Sequence, residues 1–362
     1  MIIVAFAGCP QELRWDDSRL MASGNERSRI DSMSTLPTMK LNSLQGEYLL
    51  PDALLLHFGG SLNEVKVAWR IDGIANAPVV LVLGGISAGR HVVESDRPGW
   101  WKEMMGSGRA LDTRQYRVLG IDFLGGSGST TGPFAGQTDF PSISAYDQVE
   151  VIRQLLAHLQ IDQLYAVIGA SYGGMVALAL GERLPQLTQR LIVISAAHRT
   201  HPMATAWRSV QRNIVRYAAA RGEGAEGLRI ARALAMATYR SPTEFDQRFS
   251  GEPERTANGF SFPVEHYLFA RGDAYAATYV PESFVCLSES IDLHRVNPAG
   301  IVVPVTLVAI REDQLVPLSD MQALQKQLTG PSELIELSSI YGHDAFLKET
   351  DALSSIFAKA LA

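Results

Sequence analysis

The chain has 362 residues, 46% of them hydrophobic and 19% charged, which is the composition of an ordinary globular protein. Its formal net charge of -6 provides no basic field to hold a phosphate backbone, so no nucleic-acid partner is expected. The two cysteines, Cys9 and Cys286, are too few for a disulfide framework and lack the companion ligands of a zinc site. We therefore expect a protein of the reducing cytoplasm that holds no metal.

The first 40 residues differ from the rest of the chain. The opening apolar run, MIIVAFAGC, has no Lys or Arg before it and is short for the core of a signal peptide. From Pro10 to about Lys40 the sequence is polar and aperiodic, so we predict a poorly ordered extension over residues 1–40, with Met33 or Met39 as alternative starts. No stretch approaches the roughly 20 apolar residues that cross a bilayer, so no membrane association is expected.

Beyond Lys40, short apolar runs alternate with helical patterns. The run EVKVAWRIDG alternates in polarity, as an edge or antiparallel strand does. Five further runs are short and rich in β-branched residues, as buried parallel strands are: Ala77–Gly85, Tyr116–Asp122, Gln163–Gly169, Arg190–Ala196 and Pro304–Ile310. Strands that alternate with helices predict an α/β fold with a mostly parallel central sheet and helices on both faces.

One long interval interrupts this alternation. Between Ala196 and Val303, about a hundred residues carry helical patterns such as WRSVQRNIVRYAAARG but no clear buried strand. We predict that residues 198–300 form an inserted helical lid, and that residues 41–197 and 301–362 form the core.

Ser171 lies between Gly169 and Gly173 in the pattern Gly-x-Ser-x-Gly. The pattern directly follows the strand LYAVI and opens the helix GGMVALALGERLP, which is the context that a nucleophile elbow requires. Glycines suit a sharp turn that has no room for a Cβ beside the serine, and the start of a helix offers donors to an oxyanion. We predict that Ser171 is a nucleophile; the alternative is a small residue in a tight turn.

A serine nucleophile needs a histidine base and a carboxylate that orients the base. In this kind of sheet the acid and then the histidine follow the serine along the chain. Asp313 lies just past the strand VTLVAI, with Glu312 as its nearest substitute, and His343 follows another short strand. We therefore predict a triad of Ser171, Asp313 and His343, although a single Asp after a strand is more often a turn or cap residue.

An oxyanion hole in such a site needs two backbone donors, one after the nucleophile and one in the loop after an early strand. The first is the amide of Tyr172. The second lies in the loop GGISAG, where Ile86 is the best candidate. The alternative is that these glycines only end the strand.

Several segments together resemble the homoserine O-acyltransferases of the α/β-hydrolase superfamily, which begin methionine biosynthesis: FLGGSGSTTGP, GASYGGMVAL, ARALAMATYRS, DQLVP and GHDAFL. The resemblance covers about residues 45–360. It implies an α/β-hydrolase fold, the three triad roles given above, and a homodimer. It also implies that the small-molecule partners are acyl-CoA, as co-substrate, and homoserine, and that no cofactor stays bound.

The same resemblance assigns an acceptor site. Arg232 and Tyr239 match the residues that hold the substrate carboxylate, and Asp344 matches the acid that holds its ammonium group. A guanidinium fork suits a carboxylate, and a carboxylate suits an ammonium. The alternatives are an ordinary amphipathic helix for Arg232 and Tyr239, and a helix cap for Asp344.

Two segments depart from the family pattern. The chain reads GGSGSTTGP where members usually read Gly-Gly-Cys-x-Gly-Ser-Thr-Gly-Pro, and GGISAGRH where many have Ala-Leu-Thr-Gly. Both segments border the acyl site, so they leave the identity of the acyl group open. Acetyl is the first choice and succinyl the second, with Arg90 as a candidate partner for a succinyl carboxylate.

The predicted function is therefore a two-step acyl transfer from acyl-CoA to the hydroxyl of homoserine, through an acyl-serine intermediate. Three alternatives stay open: a carboxylesterase of the same fold, a transferase that acts on serine, and a binding module without catalysis.

Overall fold

The computed structural model describes residues 42–257 and 259–362, so the prediction for residues 1–40 lies outside the described residues. Within that part of the chain, eight strands form one sheet in the order β1-β2-β4-β3-β5-β6-β7-β8. The strands are β1 (Asn42–Leu49), β2 (Lys66–Gly73), β3 (Val79–Leu83), β4 (Arg117–Ile121), β5 (Ala166–Ala170), β6 (Leu191–Ile194), β7 (Val305–Ile310) and β8 (Ser332–Leu337).

The six strands from β3 to β8 are parallel to one another, and β1 and β2 join antiparallel at one edge. The central strands β3, β5 and β6 are buried along their whole length, as their continuous apolar sequences predict. The sequence did not indicate β1, because NSLQGEYL is polar and six of its eight residues are exposed. The mostly parallel sheet that the sequence predicts is confirmed.

Nine α-helices lie in the described residues: α1 (Ala145–His158), α2 (Tyr172–Arg183), α3 (Pro202–Ala219), α4 (Gly224–Tyr239), α5 (Pro242–Phe249), α6 (Pro263–Ala276), α7 (Pro281–Leu293), α8 (Leu318–Gln327) and α9 (Thr350–Ala360). Helix α1 begins at a capping box, in which the Asp147 amide donates to Ser144 Oγ and the Ser144 amide donates to the Asp147 carboxylate. None of these helices combines the length and the apolarity needed to cross a membrane.

Five of these helices, α3 to α7, lie between β6 and β7, together with a short hairpin of Glu254–Thr256 and Gly259–Ser261. We call this segment the insertion. Its helix α7 returns to the core, where Ser290 Oγ lies 2.7 Å from the buried hydroxyl of Tyr172 in α2. The insertion thereby packs directly on the helix that follows Ser171.

Candidate active site

Ser171 lies between the end of β5 and the start of α2, with φ of 55° and ψ of -121°. A residue with a Cβ adopts a positive φ only when its surroundings impose it. Here the Ser171 amide donates to the carbonyl of Ile194 in β6, at 2.9 Å, and the Ser171 carbonyl accepts from the amides of Gly174 and Met175. These bonds hold the serine at the tip of a sharp turn.

The flanking glycines are required by close backbone contacts. A Cβ on Gly169 would lie 2.2 Å from the carbonyl oxygen of Gly173, and a Cβ on Gly173 would lie 2.3 Å from that of Leu83 in β3. Real Cβ atoms do not approach backbone oxygens so closely, so neither position accepts a side chain without moving the turn. The sequence pattern therefore has the physical basis that a nucleophile elbow requires.

The structure brings Ser171, His343 and Asp313 into one hydrogen-bonded chain. His343 Nε2 lies 2.8 Å from Ser171 Oγ, and His343 Nδ1 lies 2.7 Å from Asp313 Oδ2. Asp313 Oδ1 accepts from the amides of Leu315 and Val316 at 2.8 and 3.0 Å, so both carboxylate oxygens are engaged. The acid is thereby fixed in the orientation that holds the imidazole towards the serine.

Glu312, the substitute for Asp313 that the sequence leaves open, has other partners. Its carboxylate accepts from the Ser338 hydroxyl at 2.5 Å and from the Ser339 amide at 2.7 Å. The orienting position beside His343 is occupied by Asp313.

The surroundings of His343 strengthen it as a base. Burial disfavours its charged form, but the Asp313 and Asp344 carboxylates together more than offset that effect, so the pKa of His343 is raised above 6.5. Arg208, a cation of the insertion, acts in the opposite direction. A raised pKa stabilises the imidazolium that forms when His343 takes a proton from Ser171.

Two backbone amides at the predicted oxyanion hole have no hydrogen-bond partner within residues 42–257 and 259–362: those of Tyr172 and Ile86. Tyr172 is the first residue of α2, and Ile86 lines the same cavity as Ser171. The Ile86 carbonyl accepts from the Tyr279 hydroxyl at 2.8 Å, and Gly173 donates to the Gly84 carbonyl at 2.8 Å. The insertion and the elbow thus both hold the loop that carries Ile86.

Arg232 and Tyr239 are seven residues apart on α4 and lie on one face of that helix. The Arg232 guanidinium lies 5.2 Å from the ring centroid of Tyr239 and 4.7 Å from that of Tyr275. Tyr239 lines the cavity that contains Ser171, and its ring centroid is 5.7 Å from that of His343. Among the described residues, Arg232 forms no ion pair with a carboxylate.

Arg232 stays charged in these surroundings. Burial by itself lowers the pKa of a guanidinium, but Tyr239, Tyr275 and Asp344 more than offset it, so the pKa of Arg232 is raised. A charged guanidinium that stacks on two rings and has no carboxylate partner suits an incoming anion.

Asp344 has a partner that the sequence did not reveal. Its Oδ2 atom accepts from Arg240 Nε at 2.9 Å, and Arg240 also donates to Glu244 at 3.0 Å. The other oxygen of Asp344 accepts no hydrogen bond in the described part of the chain. Neither Asp344 nor Arg232 is part of the lining of the cavity around Ser171, which Tyr239 and His343 border. The alternative of a cap for the last helix is wrong, because Asp344 lies within the short 3-10 helix Gly342–Leu347 and α9 begins at Thr350.

Arg90, the candidate partner for a succinyl carboxylate, forms an ion pair with Asp122 instead. The Arg90 amide also donates to that carboxylate, at 2.7 Å, and Arg90 is not part of the lining of the cavity around Ser171. The structure therefore gives this guanidinium a role in holding the loop after β3.

Comparison with known proteins identifies the family of this site. Residues 78–350 match the model of the alpha/beta hydrolase fold. Among curated proteins, homoserine O-succinyltransferase of Xanthomonas campestris pv. campestris is 40% identical over 302 residues, which cover 83% of this chain and 79% of that protein. The chain belongs to the homoserine O-acyltransferase family of the α/β hydrolases.

Other relatives of this homoserine O-acyltransferase family member are named for a different acyl group or acceptor. Serine O-succinyltransferase of Litchfieldella anticariensis is 33% identical over 357 residues, covering 86% of this chain and 97% of that protein. Homoserine O-acetyltransferase of Thermobifida fusca is 33% identical over 350 residues, covering 86% and 92%. The relatives thus differ both in acyl group and in acceptor.

Solved structures show the same fold at lower sequence identity. Homoserine O-acetyltransferase from Bacillus anthracis superimposes with a TM-score of 0.79 at 18% identity, covering 88% of this chain and 97% of that one. Esterase E22 superimposes with a TM-score of 0.81 at 21% identity, covering 89% and 100%. The family resemblance and the α/β-hydrolase fold predicted from sequence are both confirmed.

Sequence reasoning missed the polar side chains that the insertion adds to the cavity. These include Arg199, Thr200, His201, Arg208 and Gln211. The segment WRSVQ at the middle of α3 carries Arg208 and Gln211, but in sequence it has the pattern of a solvated amphipathic helix. Only the packing of α3 over the core shows that these two residues face the catalytic cavity.

Proposed function

We propose that this enzyme transfers an acyl group from the thioester of an acyl-CoA to the side-chain hydroxyl of L-homoserine. One observation carries the proposal. The hydrogen-bonded triad of Ser171, His343 and Asp313 opens into a cavity that Tyr239 borders. Tyr239 in turn stacks with Arg232, which has no carboxylate partner in the described residues. A nucleophile beside a cationic clamp suits transfer to an amino acid.

In the first half-reaction, Ser171 Oγ attacks the thioester carbonyl carbon while His343 takes the hydroxyl proton. The amides of Tyr172 and Ile86 donate to the resulting oxyanion. The tetrahedral intermediate then collapses, the carbon–sulfur bond breaks, and the leaving thiolate takes the proton from His343. The products are an acyl-Ser171 ester and free CoA.

In the second half-reaction, homoserine binds with its carboxylate at Arg232 and Tyr239 and its ammonium at Asp344. His343 takes the proton of the homoserine hydroxyl, whose oxygen attacks the acyl-Ser171 carbonyl. The ester bond to Ser171 breaks, and Ser171 Oγ recovers a proton from His343. Each step uses side chains and amides of this chain alone.

Water competes with homoserine for the acyl-enzyme, so the insertion must disfavour hydrolysis. We propose that it acts as a lid: its helices α3 and α7 cover the cavity with apolar side chains, among them Trp207, Phe284 and Ile291. A simple esterase of the same fold would need neither this cover nor the clamp around Arg232.

The acceptor has one specific alternative. The relative named serine O-succinyltransferase supports serine as a second candidate, since serine carries the same carboxylate and ammonium groups on a side chain one methylene shorter. Homoserine is preferred because more of the relatives named above are named for it. Because these relatives are named for succinyl transfer in one case and acetyl transfer in the other, both acetyl-CoA and succinyl-CoA stay in the proposal as donors.

We also propose a cytoplasmic homodimer that serves methionine biosynthesis, as the family resemblance implies. The outer faces of α3 and α4 expose apolar side chains, with Val210 54%, Tyr217 65% and Ile230 39% exposed. Such a contiguous apolar surface suits contact between two copies of the chain. Sedimentation velocity on the purified protein would measure its mass; a monomer at micromolar concentration would contradict the dimer.

One assay tests the function as a whole. Release of free CoA is followed from acetyl-CoA and from succinyl-CoA, each alone and with homoserine or serine, and the acylated product is identified by mass spectrometry. We expect release to depend strongly on homoserine. CoA release that is the same with and without an amino acid would mean that the protein is a thioesterase.

A further inference from the structure

The chain between α4 and α5 packs on the segment that leads to the catalytic histidine. We define residues 239–241 as the junction. A Cβ on Gly342 would lie 2.7 Å from the carbonyl oxygen of Tyr239, so a side chain there would displace the junction. Ser241 donates to the carbonyl of Ile340 through its amide, at 3.2 Å, and through its hydroxyl, at 2.6 Å. The junction is thereby fixed to the loop that carries the catalytic base.

The junction also contacts the loop that carries the catalytic acid. Gln314, which directly follows Asp313, donates through Nε2 to the carbonyl of Arg240 at 3.0 Å. The acid and the base come from loops after two different strands, β7 and β8, and this one segment of the insertion is bonded to both loops. The junction is thus placed to keep the two loops aligned.

Arg240 forms a buried ion-pair network at the junction. Its Nε donates to Asp344 Oδ2 at 2.9 Å, and its Nη1 donates to the two carboxylate oxygens of Glu244 at 3.0 and 3.1 Å. The side chains of Arg240, Glu244 and Asp344 are only 10%, 4% and 12% exposed. Loss of one partner from a buried pair leaves an uncompensated charge, so this network holds Asp344 firmly.

Asp344 connects the network to the base, because it directly follows His343 in the chain. Burial lowers the pKa of His343, but Asp313 and Asp344 raise it further than burial and Arg208 lower it. Arg240 places a positive charge on the Asp344 carboxylate and so weakens the field that Asp344 exerts on the imidazole. Charged and titratable groups that face His343 or the Arg240–Asp344 pair include Asp313, Arg208, Arg232, Tyr239, Glu244 and Tyr267.

We infer that Arg240 is a positioning residue for the catalytic base: it holds Asp344, and through Asp344 it sets the orientation and the charge of the surroundings of His343. The inference rests on the proposed function only in that His343 acts as the base towards Ser171. Arg240 is absent from the lining of the cavity around Ser171, so it acts through its neighbours and not on a substrate. The proposed mechanism makes no other use of Arg240.

The experiment measures the reactivity of Ser171 with diisopropyl fluorophosphate, so it needs neither acyl-CoA nor homoserine. Ser171 Oγ displaces fluoride from phosphorus while His343 takes the hydroxyl proton. The second-order rate of labelling, followed by mass spectrometry from about pH 5 to pH 9, should rise with pH as His343 becomes neutral. The acid limb of this profile reports the charge around the base.

Arg240→Gln should move the acid limb to higher pH. Asp344 then loses the cation that offsets its charge, while Arg232 still acts on Asp344 and keeps it ionised. The stronger negative field raises the pKa of His343, so less of the neutral base is present in acid. We expect labelling at about pH 6 to fall by about 2-fold to 10-fold, with little change at the alkaline end.

Arg240→Lys keeps the charge but cannot bridge Asp344 and Glu244 with a planar fork. Its acid limb should lie between those of the wild type and Arg240→Gln. If Arg240→Gln does not fold, a wild-type acid limb in Arg240→Lys overturns the inference.

The double variant Arg240→Gln/Asp344→Asn tests whether Arg240 acts through Asp344. Once residue 344 is neutral, the Arg240 substitution should add no further shift to that of Asp344→Asn alone. A shift of the same size in both backgrounds would mean that Arg240 acts on His343 by another route, and would overturn the inference.

Arg248→Gln is the matched control, because Arg248 also donates to Glu244, at 2.8 Å, but is 42% exposed, and the partner of Asp344 is Arg240. It should keep the wild-type acid limb. A loss of labelling in Arg240→Gln that is equal at every pH would show a merely structural role and overturn the inference, as would a shift to lower pH or a wild-type Ser171 that is not labelled. If the acid limbs shift as expected but homoserine is never acylated, the proposed function fails and the role of Arg240 stands.

Discussion

The triad and the insertion differ in how their polar groups are satisfied. In the core, both nitrogens of His343 and both oxygens of Asp313 have partners within the protein. In the insertion, Arg232 has no carboxylate partner among the described residues. The groups proposed to carry out the chemistry are complete before a substrate arrives, whereas the cation proposed to recognise the acceptor is not.

This difference indicates a division of labour. A preorganised triad costs no reorganisation when the reaction begins, and it can serve any acyl donor. Unsatisfied cations cost stability in the free enzyme and recover it when an anionic substrate binds. Substitutions in the triad should therefore lower activity with every donor and acceptor. Substitutions in the insertion should lower it only with particular substrates.

The largest effect is expected for Ser171→Ala, which removes the nucleophile from an otherwise complete triad. Acyl transfer should fall by about a thousandfold or more with acetyl-CoA and with succinyl-CoA alike. Steady-state release of CoA in the presence of homoserine measures the loss. Near-normal turnover would mean that Ser171 is only a turn residue.

A smaller and selective effect is expected for Arg232→Ala. Loss of the clamp should lower transfer to homoserine by about 10-fold to 150-fold, while acylation of Ser171 stays close to the wild-type rate. Pre-steady-state CoA release separates the two half-reactions. Water needs no clamp, so hydrolysis of the acyl-enzyme should continue and the ratio of transfer to hydrolysis should fall.

Arg229→Ala is the control for that variant, because Arg229 lies on the same helix but pairs with Glu226. It should leave both half-reactions unchanged. Equal losses of acylation and transfer in Arg232→Ala would show that Arg232 has a structural role or binds CoA, and the comparison between the two regions would no longer hold.

The close fit of the turn at Ser171 is tested by measuring the stability of glycine variants. Gly173→Ala places a Cβ against the Leu83 carbonyl, so we expect it to lower the free energy of unfolding by about 1 to 3 kcal/mol. Gly85→Ala is the control, since a Cβ at Gly85 meets no atom within 4 Å. Urea denaturation of both variants measures the difference; equal stability would show that the turn relaxes at little cost.

The smallest effect concerns the pH profile. His343 acts as a base in its neutral form, so activity should rise with pH through an apparent pKa above 6.5. Asp344 helps to raise that pKa, and Asp344→Asn should therefore move the acid limb of kcat/KM for acylation to lower pH. A shift to higher pH, or none, would show that Asp344 does not act on His343.

The sequence was most informative where the chemistry depends on local structure. The turn at Ser171 is determined by its own glycines and by the strand and helix around it, so a short pattern identified it. Asp313 and His343 followed from their positions after strands of a parallel sheet. Asp344 was identified only through the family resemblance, and its pairing with Arg240, more than a hundred residues away, leaves no trace in a single sequence.

Pairing between residues that are distant in sequence also explains which parts of the site the sequence analysis missed. Arg90 pairs with Asp122 and Arg208 with Asp292, and neither pair follows a short-range spacing. A solvated arginine and an arginine that faces a cavity have the same pattern on an amphipathic helix. Strand β1 was missed because it is a polar strand at the edge of the sheet, where it pairs with β2.

One measurement tests the central claim most directly, that a complete triad forms an acyl-enzyme which an amino acid then discharges. The wild-type protein is mixed with acetyl-CoA or with succinyl-CoA in the absence of an acceptor, quenched, digested and analysed by mass spectrometry, and homoserine is added to a second aliquot of each mixture before quenching. With at least one of the two donors we expect one acyl group on the peptide that contains Ser171 and its rapid loss, as acyl-homoserine, once homoserine is present. A Ser171 peptide that stays unmodified with both donors, or an adduct that water removes as fast as homoserine does, would contradict the account.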